Sequence, residues 1–257
     1  MKDKVIVITG GSAGIGAALA FECARQGAKV VLTARREAEL AQVAKQCGEG
    51  ASMVVADVTR RDDVKRVFDF AMQKHGRVDV WVNNAGRGIS KNVSALDDRD
   101  LDDMMSTNVK SALYGMQVVL PHFQSRNAGQ IINISSGLGR VPFAPIRSAY
   151  SGAKAFLNML TASLRMELRG SHPGIQVTTV SPGVVSTDFG KNALHGGPDS
   201  RSLPHSQPVE EVAKVIAAAI DEPKAEVYTT PTVRQNVANY YAAEDMGAIE
   251  AQMMTRR

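Results

Sequence analysis

Tyr150-Ser151-Gly152-Ala153-Lys154, preceded by Ser135-Ser136, carries the side chains best suited to move a proton. A tyrosine and a lysine four residues apart at the start of an amphipathic segment share one helix face, which sets an ammonium near a phenol. A free tyrosine has a pKa of about 10. A fixed cation beside it favours the phenolate, so the pairing is expected to bring the hydroxyl toward a value where it exchanges a proton near neutrality. A serine next to it could hold the oxygen being protonated. Tyr-x-x-x-Lys is also common as an exposed helix pair without a role, so the elements around it have to decide.

Those elements begin with Val5-Ile6-Val7-Ile8, a β-branched run expected to be a strand buried on both faces. It leads into Thr9-Gly10-Gly11-Ser12-Ala13-Gly14-Ile15-Gly16, then a helix over residues 14–26 and a second strand over 29–33. Glycines in that position permit a tight turn and close backbone approach, and the helix presents its N-terminal amides and dipole to a diphosphate. The strand, turn, helix and strand together make a dinucleotide site the favoured reading over an unliganded turn. Ala34-Arg35-Arg36 follows the second strand, where NAD sites tend to carry an acid. With no acid present, Arg35 can offer a planar, permanent charge to the 2′-phosphate of NADP, so NADP(H) is expected to be preferred over NAD(H). The competing reading is that both arginines only solvate a helix start. A helix over 36–47 and a strand over 51–55 precede Asp57-Val58. Asp57 could accept from the adenine amino group or cap the next helix near Arg61, and the sequence favours neither. A strand over 78–82 runs into Asn83-Asn84-Ala85-Gly86, which suits a backbone-level ligand contact and a tie between neighbouring strands.

Thr9-Gly10-x-x-x-Gly14-x-Gly16, Asn83-Asn84-Ala85-Gly86, Ser136, Tyr150-x-x-x-Lys154 and Ser181-Pro182-Gly183 stand in the order of the short-chain dehydrogenase/reductase family, which the chain resembles over roughly residues 4–230. The resemblance implies an α/β fold, a doubly wound Rossmann-type seven-stranded parallel sheet of order 3-2-1-4-5-6-7 with helices on both faces, and NAD(P)-dependent chemistry on carbonyls or alcohols. It implies Asn108, Ser136, Tyr150 and Lys154 as the catalytic set, with Asn108 holding a water in a proton path toward the lysine. Cofactor contacts are expected at Gly10, Ser12, Gly14, Ile15 and Gly16 in the turn, and at Arg35, Asp57, Val58 and Asn84 along the neighbouring strand ends. Tyr150 and Lys154 are expected to reach the cofactor too, and Val185 and Thr187 to seat the nicotinamide. The interval from Ser136 to Tyr150 is fourteen residues, one more than is commonest in the family. Ser136 is preferred over Ser135 because a glycine, Gly139, stands three residues after it.

The remaining pattern reads as a long helix over 101–123 interrupted by Asn108, a strand over 130–134, a helix over 149–169 and a strand over 175–180. Residues 188–208 lose the periodicity and read as a lid or substrate loop. A helix over 209–220 and an edge strand over 226–230 lead to a polar tail over about 231–257 with some helical character. The apolar members Leu138, Phe143, Ile146, Phe189 and Leu194 suggest a partly hydrophobic, small carbonyl or alcohol substrate. His195 and His205 lie in the loop without a cluster of further ligands and read as substrate contacts, so no metal is expected.

At 257 residues the chain can form one α/β domain spanning 1–257. Cys23 and Cys47 lack disulfide or zinc spacing and read as reduced thiols of a cytoplasmic protein. No apolar run approaches a membrane span, and no export signal is seen. The net charge of +4 is scattered and aromatics make up 5%, which argues against nucleic acid. The resemblance also suggests a homodimer or homotetramer. A rival of another class is a dinucleotide sensor or scaffold without chemistry, though it would have no need of all four catalytic-type residues.

Overall fold

The computed structural model describes residues 1–255. Its frame is seven strands: β1 Val5–Thr9, β2 Lys29–Ala34, β3 Ala51–Val55, β4 Val80–Asn83, β5 Gly129–Ile134, β6 Ile175–Ser181 and β7 Glu226–Tyr228. They form one parallel sheet of order β3-β2-β1-β4-β5-β6-β7. The chain works outward from β1 to β3, then crosses back to lay β4 against the other side of β1. That reversal opens a crevice at the carboxyl ends of β1 and β4, the place where ligands bind in open α/β sheets.

Around the sheet lie α1 Gly14–Arg25, α2 Glu37–Cys47, α3 Arg61–His75, α4 Asp98–Met105, α5 Ser111–Arg126, α6 Ser148–Ser171, α7 Val209–Asp221, α8 Pro231–Ala242 and α9 Met246–Thr255. Successive strand side chains point to opposite faces, and both faces are covered. Ile6, Ile8, Val30 and Leu32 pack with α1, α2 and α7, whereas Val7, Val31, Trp81 and Ile131 pack with α3, α5 and α6. Burial on both sides is why the strands read as continuous apolar runs. Among the described residues, no helix is long and apolar enough to cross a membrane.

The expected helix over 101–123 is three segments. α4 begins earlier, at a capping box in which Asp97 accepts from the Asp100 amide at 3.0 Å and Asp100 accepts from the Asp97 amide at 3.3 Å. A π turn over Ser106–Lys110 then separates α4 from α5. The expected edge strand over 226–230 ends at Tyr228, because Thr230 caps Val233 at 3.3 Å and Pro231 is preset for the first turn of a helix. The tail, expected to be polar with some helical character, forms α8 and α9. Its Val237 and Tyr240 are buried against Val141 with Phe143 alongside, apolar contacts spaced three apart in a stretch whose overall composition is polar.

Candidate active site

The phosphate-facing end is shaped by backbone. Gly10 and Gly14 adopt φ of 68° and 55°, left-handed values that favour glycine. Gly16 is required for a different reason: a Cβ there would stand 2.3 Å from the Gly10 carbonyl oxygen and 2.6 Å from Asn84 Nδ2. The absence of that methyl lets α1 pack directly on the turn. No side chain caps α1, and no acid stands in its first turn, so its amides and positive dipole end remain available to an anion. Asn84 Nδ2 donates to the Thr9 carbonyl at 2.8 Å and to that of Gly10 at 3.3 Å, while Thr9 Oγ1 accepts from the amides of Asn84 and Ala85, each at 3.0 Å. The end of β4 thereby clamps the turn that follows β1. Ser12 and Ile15 line the same cleft.

Beyond β2, Arg35 is exposed and lines the cleft. Arg36, which the sequence left as a helix-start residue, also faces it: Nη2 donates to Ser12 Oγ at 3.1 Å, and Nη1 pairs with Glu39 at 3.3 Å. Asp57 and Val58 line the cleft at the end of β3. Asp57 Oδ1 accepts from the Thr59 amide at 3.0 Å and hydroxyl at 2.8 Å, closing a local turn, whereas α3 starts at Arg61 with Arg60 at its cap position and no side-chain cap. A cradle of glycine and free amides fits the diphosphate of a dinucleotide, and two arginines with no acid between them stand beyond it.

At the other end, β5 delivers Ser135 and Ser136, and α6 carries Tyr150 and Lys154. The Ser136 side chain lies close enough to the Tyr150 hydroxyl to pull its pKa down, and its Oγ accepts from the Leu138 amide at 3.1 Å. Ser135 turns away, its hydroxyl 3.5 Å from the Lys154 carbonyl. The long interval between Ser136 and Tyr150 is taken up by two short turns, Gly137–Gly139 and Pro145–Arg147. A Cβ on Gly139 would stand 2.8 Å from that of Lys154, so this glycine lets the first turn sit flush on α6.

The electrostatics differ from the sequence expectation. Burial pushes the Tyr150 hydroxyl up to about 12, against weaker pulls from its Ser136 hydrogen bond and the charge on Arg147. Burial likewise brings Lys154 down to about 8. The Lys154 ammonium donates to the Ile134 carbonyl at 2.8 Å and lies 5.7 Å from the centre of the Tyr150 ring, so desolvation outweighs its influence on the phenol. Asn108, in the π turn, is buried. Its Nδ2 donates to the carbonyls of Arg87 at 2.9 Å and Met104 at 3.2 Å, and its Oδ1 accepts from the Arg87 amide at 3.1 Å. The extra residue of a π turn re-aims one side chain inward, which explains how an asparagine sits at no cost inside an apolar helix. Beneath the site, Trp81, Asn83, Asn133 and Thr161 form a buried hydrogen-bond chain that locks α6 to β4 and β5.

The wall over Tyr150 comes from residues 188–208 and α8. The Phe189 ring lies 5.4 Å from that of Tyr150, tilted by 59°. Leu138, Phe143, Val185 and Thr187 line the cleft; Ile146 and Leu194 do not, and Leu194 instead forms a bridge with Ile89. The two histidines are also absent from the lining, which corrects the expectation of substrate contact. His195 turns outward to Asp100 at 2.6 Å, where Lys91 binds the second carboxylate oxygen at 2.6 Å and the two donors, Lys91 foremost, hold the carboxyl at about 2. Histidine as a latch on a distant acid leaves no trace in sequence spacing. Val233 and Asn236 of α8 also line the cleft, two residues that nothing in the polar composition of the tail singles out. No cluster of metal-ligating side chains exists among the described residues. From the glycine turn to α8 the cleft is continuous, with a volume of about 1340 Å³.

Comparison with known proteins places this geometry. The family model described as short chain dehydrogenase matches residues 4–196. An uncharacterised oxidoreductase of Staphylococcus saprophyticus is 35% identical over 238 residues, covering 91% of this chain and 98% of its own. A short-chain dehydrogenase/reductase from Burkholderia phymatum, solved in complex with NAD, is 25% identical with a TM-score of 0.85, over 98% of this chain and 95% of that one. The closed form of a serine dehydrogenase complexed with NADP+ is 26% identical with a TM-score of 0.82, over 89% and 95%.

Proposed function

The chain belongs to the short-chain dehydrogenase family, and from that premise we propose that it is an NADP(H)-dependent oxidoreductase acting on a carbonyl or secondary alcohol of a small, partly apolar substrate. The observation that carries this reading is the Tyr150 hydroxyl beside Ser136, with Lys154 one helical turn on, in the cleft that begins at the glycine turn. The bound nicotinamide supplies the hydride. The chain supplies orientation and a proton.

In reduction, Tyr150 gives its proton to the carbonyl oxygen as negative charge develops there, and Ser136 donates a hydrogen bond to the same atom. A hydroxyl held at about 12 stays protonated at neutral pH and is therefore a ready donor. Lys154, brought down to about 8, passes a proton toward the tyrosine more readily than an ordinary lysine. Asn108 fixes the Arg87 backbone beside this path and is proposed to hold its water. Gly10, Gly14 and the α1 amides bind the diphosphate; Arg35, helped by Arg36, binds the 2′-phosphate; Asp57 and Val58 flank the adenine; Asn84, Val185 and Thr187 seat the ribose and nicotinamide. Solved relatives carry either NAD or NADP+, so the preference for NADP(H) rests on the two arginines. Exposed Phe156, Met159 and Met166 on α6 support a homodimer or homotetramer, and the reduced thiols of Cys23 and Cys47 are consistent with a cytoplasmic protein.

A panel of carbonyl compounds assayed with NADPH and NADH in parallel tests the reading. We expect oxidation of NADPH with kcat/KM at least about tenfold above NADH, the effect of one charge-assisted phosphate contact. Tight NADPH binding with no carbonyl consumed would instead indicate a dinucleotide sensor.

A further inference from the structure

Arg147 takes no part in the proton transfer above, yet it occupies an expensive position. It closes the Pro145–Arg147 turn, immediately before α6 and three residues before Tyr150. Its side chain is buried, 8% exposed, and lines the substrate end of the cleft. Nη1 donates to the Ile89 carbonyl at 3.0 Å, and among the described residues no carboxylate pairs with the guanidinium. The other arginines of the cleft are provided for: Arg25 pairs with Glu22, Arg36 with Glu39, Arg87 with Asp103 and Arg201 with Asp188, while Arg35 is solvated.

A guanidinium cannot shed its proton, so burial without a counter-charge carries the full desolvation cost. Arg147 also precedes the N-terminus of a long helix, the positive end of the dipole, where a cation is disfavoured. Burial weakens its charged form, consistent with an incomplete partner set. Two glycines hold the group in place: a Cβ on Gly88 would stand 3.0 Å from Nη1, and one on Gly197 would stand 3.0 Å from Nη2. The Gly197 position is also 2.8 Å from Ser90 Oγ, a buried hydroxyl without a partner among the described residues. Arg147 is thus a fixed cation without a counter-charge on the wall of the cleft that holds Tyr150, its charge acts on the Tyr150 hydroxyl, and its Nη2 end lies toward an orphaned hydroxyl behind that wall.

We infer that Arg147 binds a carboxylate of the substrate, which makes the substrate class short oxo acids and the hydroxy acids they give. The inference rests on the proposed reading for what happens to the carbonyl. Arg147 stands at the cap of α6, three residues before Tyr150, and both line the cleft, which suits a carboxylate held by Arg147 while Tyr150 meets a carbonyl a few bonds away in the same molecule. In reduction the hydride forms the new C–H bond, the Tyr150 proton completes the hydroxyl, the nicotinamide is oxidised, and the carboxylate is unchanged.

Two measurements on the whole protein test this. With NADP+ present, calorimetry should show butyrate binding at least about tenfold more tightly than butyramide, with the difference lost in Arg147→Met. In steady state with NADPH, acetoacetate should be favoured over methyl acetoacetate by about a hundredfold in kcat/KM, and Arg147→Met should collapse that ratio to near unity through the KM of the acid. If the methionine variant does not fold, Arg147→Lys, which keeps the charge and loses the fork, should lower the ratio without abolishing it. Equal binding of butyrate and butyramide by the native protein, or an acid-to-ester ratio unaffected by both variants, would overturn the carboxylate site even if neutral carbonyls are reduced. Arg147-dependent butyrate binding with no carbonyl reduced would keep the site and overturn the oxidoreductase reading.

Discussion

The two ends of the cleft are built by different means. At the glycine turn, shape is a backbone matter: β1, α1 and β2 follow one another within about thirty residues, and Gly16 packs where any Cβ would strike the Gly10 carbonyl. At the opposite end, Ser136, Arg147, Tyr150, Phe189 and Val233 meet from β5, a short turn, α6, an irregular loop and a C-terminal helix. Here side-chain packing across long sequence separations sets the shape. The contrast separates a cradle that any relative could use for a dinucleotide from a wall free to select one substrate.

The sharpest way to break this contrast is at Gly16. Gly16→Ala should destabilise the chain by about 1–3 kcal/mol, as overpacking does, seen as a Tm lower by several degrees, and should abolish NADPH binding. An alanine variant that binds normally would show that the turn is not held by backbone contact. Next in size, Arg35→Ala should weaken NADPH by about tenfold to a hundredfold and leave NADH unchanged, with Arg36→Ala a smaller copy of the same effect; titration by nicotinamide fluorescence reads both.

Two pH effects of opposite sign probe the far end. Lys154 titrates at about 8 when folded against an ordinary 10.5, so between those values the unfolded chain holds more protons and stability rises with pH. Tyr150 titrates at about 12 against 10.0, so the folded chain holds more protons and stability falls as pH rises from 10 to 12. Lys154→Met should therefore flatten the rise in Tm above pH 8, and Tyr150→Phe the fall above pH 10. The reverse assignment would contradict the burial argument. The smallest effect is expected at His195→Ala, which should speed hydrogen exchange in residues 190–200 by freeing them from Asp100 while leaving the core amides unchanged.

How far the fold was legible follows the same division. Buried parallel strands announce themselves as apolar runs such as Val5-Ile6-Val7-Ile8, and the glycine turn sits in its expected βαβ context, so the sheet and its order follow from local pattern and the family resemblance. The walls were less legible. A π turn at Ser106–Lys110 differs from an α-helix by one residue of winding, which periodicity over twenty residues does not resolve. α8 looked like a polar tail because only Val237 and Tyr240 of its residues are buried. Arg36 stands in a stretch that also reads as a helix start, and nothing in the sequence around Arg147 marks it as buried. Spacing alone did place Tyr150 and Lys154 on one helix, but it gave the wrong sign for the tyrosine, since desolvation depends on what covers the ring, and Phe189 lies thirty-nine residues away.

Tyr150 as the proton donor is the central claim about this cleft. The direct measurement is kcat/KM for carbonyl reduction by Tyr150→Phe, taken together with its Kd for NADPH. Loss of a positioned acid accounts for about a hundredfold to ten-thousandfold, so turnover should fall by at least that much while the Kd stays within about threefold of the native value. Turnover retained within about tenfold, or lost only in step with cofactor affinity, would contradict the assignment.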